Sequence, residues 1–199
     1  MPPRNAAPSL AIASLSMIFI VVWSNWLMQG DAGDPSLPQS FTALNSLFDT
    51  QLFVYGQFTF PIAFLITDLI NRLFGPQRAS LIVAVGALVG AFASIYFATP
   101  WIAFASISAF VVGQMLDIAV FQHLRRLAWF IAPLISSLLA SLIDTGVFYA
   151  IAFGFFGEQN TWVLPTAGVD FGVKAFVALV ALLPFRLIIA HRLAPPARL

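Results

Sequence analysis

The sequence predicts an all-α integral membrane protein, one domain over residues 1–199 with six membrane spans and both termini cytoplasmic. Three observations carry that prediction. The chain is 60% hydrophobic and 9% charged, with mean hydropathy +0.94, whereas a soluble domain carries about 25% charged residues. Its apolar residues fall in runs long enough to cross about 30 Å of hydrocarbon. Its arginines collect at the ends and in alternate loops.

The spans are expected at about 9–29, 51–73, 80–98, 101–123, 130–156 and 171–191. The first exceeds the usual apolar core of a signal peptide and ends in Trp23, Trp26 and Gln29 rather than small residues, so it reads as a retained helix. The second contains Pro61 and the sixth Pro184; proline is tolerated in ordinary spans and also marks broken helices in transporters. The third carries Gly86-Ala-Leu-Val-Gly90, a spacing that allows close helix packing within the bundle or between copies, so a homodimer is possible. The fourth follows the turn at Thr99 and Pro100. The fifth is the longest and is expected to end irregularly near Gly154 and Gly157.

Arg4, Arg72, Arg78, Arg125, Arg126, Arg192 and Arg198 fall at one set of ends, and Asp31, Asp34, Asp49, Glu158 and Asp170 at the other. The positive-inside rule makes the arginine side cytoplasmic. The loop around 30–50 is then external, and Phe41–Phe48 is expected to lie as a short amphipathic helix on the membrane surface.

Asp68, Asp117 and Asp144 stand inside these spans. A mid-helix carboxylate costs roughly 2.5–3.5 kcal/mol on insertion scales and is kept where it faces a bundle interior, a cavity or a partner charge. Counting rise from the outer helix ends puts Asp68, Asp117 and Arg186 each about 24 Å deep, in one layer near the cytoplasmic face. Asn71 and Gln114 join that layer, each three residues from an aspartate on the same helix face. Gln57 points the same way as Asp68, higher up. A second layer nearer the middle holds Asp144, on a stripe with Ser137 and Ser141, and Lys174 with Asp170 at i−4. The plainer alternative is structural: Asp68 with Arg72, Asp117 with Arg186, and Asp170 with Lys174 as ion pairs that tie helices together.

Enzyme chemistry finds little support. His123 and His191 sit at helix ends, outside any zinc-protease motif. No histidine lies at mid-membrane to activate a serine, and no Gly-rich phosphate loop appears. A pair of aspartates sharing a proton leaves an intramembrane aspartyl hydrolase as a remote reading. No cofactor or metal is implied. A net charge of +1 gives no bulk attraction to nucleic acid.

Four ordered blocks resemble the signature of the queuosine-precursor transporter family, also called the vitamin-uptake-transporter family. They are FPIAFLITDLINRLFG at 60–75, GQMLDIAVF at 113–121 followed by Leu124-Arg125-Arg126, IDTGVF at 143–148, and VDFGVK at 169–174. Many members carry an acidic residue where this chain has Asn71, and the chain looks closer to the proteobacterial branch. The resemblance implies an inner-membrane importer of 7-cyano- or 7-aminomethyl-7-deazaguanine, precursors of the tRNA nucleoside queuosine. It also implies a fold similar to the substrate-binding components of energy-coupling-factor transporters.

Such a ligand suits the residues. Its N1–H and exocyclic amine are adjacent donors for one carboxylate. Asp144 is the expected contact, with Asp68 or Asp117 as the second. Its O6 accepts from Gln57, Asn71, Gln114 or Lys174. Phe60, Phe64, Phe110, Phe121, Phe148 and Trp26 are candidate stacking faces. Transport is expected to be secondary or facilitated. A binding component that needs a separate ATPase module is the alternative; its Ala-x-x-x-Ala contact is poorly matched by Ala7 and Ala11, which enclose Pro8.

Overall fold

A computed structural model describes residues 6–28, 54–154 and 162–193. The expected surface helix at 41–48 and the acidic residues of that loop lie outside them, as do Gly157 and Glu158. The described residues form seven helices: α1 (Ala6–Leu27), α2 (Tyr55–Thr59), α3 (Ile62–Phe74), α4 (Pro76–Phe97), α5 (Pro100–Leu124), α6 (Ile131–Ala152) and α7 (Val163–Leu193). Five of them are long and apolar enough to cross a membrane: α1, α4, α5, α6 and α7.

The second expected span departs from a plain crossing. Pro61 has no N–H to donate and interrupts the helix. The chain tightens there into three-residue turns, Ala63 N to Phe60 O at 3.0 Å and Phe64 N to Pro61 O at 3.1 Å. The product is a five-residue α2 and a 13-residue α3. At 1.5 Å per residue α3 alone is only about 20 Å long. It is nonetheless the centre of the bundle, touching every other helix.

Boundaries elsewhere follow local chemistry. Gly75 adopts φ 91°, which lets the chain reverse after α3, and Pro76 begins α4 at once. Thr99 caps α5 by accepting from Ile102 N at 3.4 Å, with Pro100 in the first turn. The fifth expected span closes at Ala152, and Gly154 at φ 72° supplies the irregular end. The sixth span begins earlier than expected, at Val163 instead of 171. Pro165 lies within its first turn, where a missing N–H costs nothing. Gly168 and Gly172 do not break it. Pro184 sits inside the same helix.

The bundle is apolar outside and polar within. Leu81, Leu88, Phe92, Phe104, Leu183 and Leu187 are exposed, whereas Ser24, Thr67, Asp68, Asn71, Gln114, Asp117 and Ser136 are fully or almost fully buried. That inversion is what lipid solvation selects. Gly86 and Gly90 face α1 of the same chain: a methyl at 86 would stand 2.8 Å from Met17 Cγ, and one at 90 would stand 2.9 Å from Val21 Cγ1. The GxxxG therefore closes α4 on α1 and supplies no argument for a dimer. Gly86→Leu is expected to overpack this seam and cost about 1–3 kcal/mol, read as a lower melting temperature in detergent.

Candidate functional site

Both polar layers form, and they form separately. The first lies where α6 and α7 face each other, in the half of the bundle away from the arginines. Lys174 on α7 donates to Asp144 Oδ2 on α6 at 2.6 Å and meets Asp170 Oδ2, one turn earlier on its own helix, at 2.7 Å. It also donates to Thr145 Oγ1 at 3.0 Å, and Thr145 in turn donates to Asp170 Oδ2 at 3.0 Å. An ammonium has three donors, so Lys174 is saturated. The cluster carries one cation and two carboxylates. Among the described residues both carboxylates are engaged through Oδ2, and Asp144 is the more open of the two, at 16% side-chain exposure against 9% for Asp170.

The open side of the cluster is a cavity of about 180 Å³. For scale, an apolar cavity of about 150 Å³ admits benzene. Asp144, Asp170 and Lys174 form one wall, and Phe60, Phe97, Phe110, Phe148 and Tyr149 supply ring faces. Gln57, Asn25 and Ser94 add hydrogen-bonding groups to the lining. Gln57 Oε1 accepts from Val54 N at 3.2 Å, which turns its NH₂ into the donating end. Asn25 is fixed by Nδ2 to Val21 O at 2.9 Å, while its Oδ1 accepts from Ser94 Oγ at 2.6 Å. Ser24 donates to Thr59 Oγ1 at 2.8 Å and so ties α1 to α2 beside the break at Pro61. Met28, Phe97, Ala98 and Ile102 ring the end of the cavity nearest the helix termini.

Asp144 reaches this position because α5 carries no side chain at Gly113. A methyl there would stand 2.9 Å from Asp144 Cβ and 3.4 Å from Ala140 O. In the sequence Gly113 is only one residue of a motif; its role emerges from the α5–α6 contact, the most extensive in the bundle. Gly113→Ala is expected to push α6 aside, move Asp144 relative to Lys174, and weaken ligand binding by more than it lowers thermal stability. Binding and melting measured on the same preparation test this.

The second layer lies deeper, toward the arginine end, between α3, α5 and α6. Asp68 accepts from Ser137 Oγ at 3.3 Å and Ser136 Oγ at 3.5 Å. The Asp68 and Asp117 carboxyls are both buried at the contact between α3 and α5, near enough for each to feel the other's charge. Gln114 Oε1 accepts from Thr67 at 2.5 Å. Asn71 donates to Ile118 O at 3.2 Å and accepts from Gln122, so both ends of its amide tie α3 to α5. These four residues do not line the 180 Å³ cavity. The expected substrate contacts at Asp68, Asn71, Gln114 and Asp117 are therefore not brought to it: below Pro61, α3 packs them against α5 and α6.

The expected ion pairs of this layer do not form either. Arg72 donates to Arg125 O at 2.6 Å, and the Arg186 guanidinium sits 4.9 Å from the Trp129 ring centre. Counting rise gives a depth and no azimuth, and the Arg186 guanidinium is turned to Trp129. Of the aromatic candidates, Phe60, Phe110 and Phe148 line the large cavity. Phe64 borders a smaller void, Phe121 is packed on Phe185, and Trp26 lies against Trp23. Asn25, Ser94, Phe97 and Tyr149 were not anticipated. Asn25 and Ser94 had one available signal, a polar residue near the end of an apolar run.

The chain is similar to known transporters. A family model described as "Putative vitamin uptake transporter" matches residues 54–98 and 87–189. The chain is 33% identical over 194 residues to a Haemophilus influenzae protein named "Probable queuosine precursor transporter", covering 84% of this chain and 80% of that one. It is 32% identical over 197 residues to the "Queuosine precursor transporter" of Escherichia coli K12, covering 86% and 81%. No solved structure matches.

Proposed function

Because the chain belongs to the vitamin-uptake-transporter family, we propose that it imports 7-cyano-7-deazaguanine, 7-aminomethyl-7-deazaguanine or both, and that the Asp144–Lys174–Asp170 cavity is where they bind. It is a multi-pass protein of the bacterial inner membrane. The observation that carries the substrate reading is one cavity that joins ring faces to a carboxylate with an unengaged oxygen.

The chemistry matches group by group. Asp144 accepts from N1–H and the exocyclic amine, the charge-assisted bidentate contact that a guanine-like edge offers. Lys174 has no donor left for O6, so that role passes to the Gln57 amide, which also lines the cavity. The bicycle stacks between the rings of Phe60, Phe110 and Phe148. A 7-aminomethyl cation is met by Asp170, since two carboxylates exceed the one lysine.

Both termini are cytoplasmic on this reading, by the arginine distribution. The cavity, lined by Met28, Phe97, Ala98 and Ile102 at the opposite helix ends, then lies in the outer half of the bundle. Transport by this chain alone, secondary or facilitated, is tested in proteoliposomes. Uptake of the two deazaguanines but not of guanine or biotin is the expected result. Uptake that appears only when an ATPase module is added would replace this reading with that of a binding component.

A further inference from the structure

Every buried side-chain polar atom without a hydrogen-bond partner among the described residues belongs to four atoms of three residues: Gln114 Nε2, Asp117 Oδ1 and Oδ2, and Ser141 Oγ. They are not scattered. Asp117 adjoins Asp68, Asp68 is bonded to Ser137 and Ser136, and Ser141 lies one turn beyond Ser137 on α6. A void of about 10 Å³, the size of a single water, is lined by Asp68, Ser137 and Ser141. One turn past Ser141 stands Asp144, at the wall of the ligand cavity. From Ser137 to Asp144 is about 10 Å along the helix. Oxygen groups thus follow one another along α6 from the cavity to the carboxyl pair.

Buried polar groups left without partners are costly, and native proteins keep few of them. Two carboxyls in mutual reach cannot both stay ionised in an apolar bundle without a cation, and one proton between them resolves the conflict. The charged groups of the packed elements do not offer another resolution. On α3, Arg72 is turned to Arg125 O; on α5, His123 Nδ1 contacts Ala119 O, and just past its end Arg125 donates to Gln122; on α7, Arg186 lies over Trp129. On α4, Arg78 sits over Phe74, and α1 has no charged residue among those described. On α6 the one charged residue is Asp144, which belongs to the cavity cluster.

We propose that Asp68 and Asp117 form the proton-coupling site of this transporter, loaded from the ligand cavity along Ser141 and Ser137. One proton stays shared within the pair. A second arrives from the cavity side, neutralises the remaining charge as ligand binds, and leaves toward the arginine end when ligand is released. One proton then moves per ligand and no electrons move. This deepens the transport reading and rests on it.

Two measurements test the site. In proteoliposomes, an inward proton gradient is expected to drive accumulation of 7-cyano-7-deazaguanine, by at most about tenfold per pH unit for one proton, and a protonophore is expected to abolish it. Asp117→Asn is expected to keep ligand binding and gradient-free counterflow while losing accumulation. Accumulation unaffected by the protonophore, driven by sodium instead, or preserved in Asp117→Asn would overturn the assignment.

The second measurement needs no ligand, so it separates failure of the proton site from failure of the substrate reading. Purified protein is expected to show the infrared carbonyl band of a protonated carboxyl, lost in Asp68→Asn/Asp117→Asn. Should that variant not fold, Ser141→Ala carries the test: it is expected to keep the band and slow its shift in heavy water. Absence of the band in the wild type, or exchange unchanged in Ser141→Ala, would overturn the proposal whatever the substrate is.

Discussion

Lys174→Met is expected to destabilise the protein by about 3–5 kcal/mol, the usual cost of removing one partner from a buried ion pair. The side chain is 9% exposed and its ammonium meets Asp144, Asp170 and Thr145. Methionine fills similar volume, so the loss is electrostatic and not one of packing. It leaves two carboxylates facing each other across the α6–α7 contact with only the Thr145 hydroxyl between them. The measurement is thermal unfolding in detergent. Asp170→Asn in the same chain is expected to restore part of the loss, because it removes one of the stranded charges, and a double-mutant cycle gives the coupling. An unchanged melting temperature for Lys174→Met would mean that water, and not the lysine, solvates these carboxylates.

Asp144→Asn is expected to do the reverse, sparing stability and removing binding. Lys174 retains Asp170 at 2.7 Å, so no charge is stranded. The ligand, however, meets an amide where it needs a carboxylate. Charge-assisted hydrogen bonds contribute about 1.5–3 kcal/mol each, and the asparagine NH₂ opposes a ligand donor. A loss of at least about a hundredfold in affinity follows, with little change in the unliganded melting temperature. Equal loss of binding and of stability would make Asp144 a structural residue. The two substitutions therefore separate the halves of one salt-bridge cluster: the lysine holds the wall together, and the aspartate reads the ligand.

Much of this arrangement is legible in the chain because helices in lipid have few degrees of freedom. A fixed rise per residue converts sequence position into depth, which placed Asp68 with Asp117, and Asp144 with Lys174 and Asp170, in two layers. Azimuth is less legible. Arg186 has the depth of Asp117 but faces Trp129, since rotation of α7 is set by Phe121 against Phe185 and by its neighbours. The division of labour between the layers was also hidden. It depends on the break at Pro61, which leaves Gln57 and Phe60 facing the cavity and Asp68 below it. Hydropathy alone ran 51–73 together as one span and stopped short of 163–170, where Pro165 and Gly168 imitate a loop inside what is helix. Gly113 carried no signal of its own, because a glycine kept for a neighbour's side chain differs in no way from one kept for a turn until the neighbour is seen.

The central claim is that the cavity walled by Asp144, Asp170 and Lys174 binds a 7-deazaguanine. Its most direct test is ligand-dependent melting of the purified wild type and of Asp144→Asn with 7-cyano-7-deazaguanine, 7-aminomethyl-7-deazaguanine, guanine and biotin. A ligand that binds only the folded form adds about 2.7 kcal/mol of stability at a hundredfold excess over its dissociation constant. Stabilisation of the wild type by the two deazaguanines alone, and its loss in Asp144→Asn, is the predicted result. Equal stabilisation of Asp144→Asn would move the site elsewhere in the bundle, and no stabilisation of the wild type by either deazaguanine would contradict the substrate assignment.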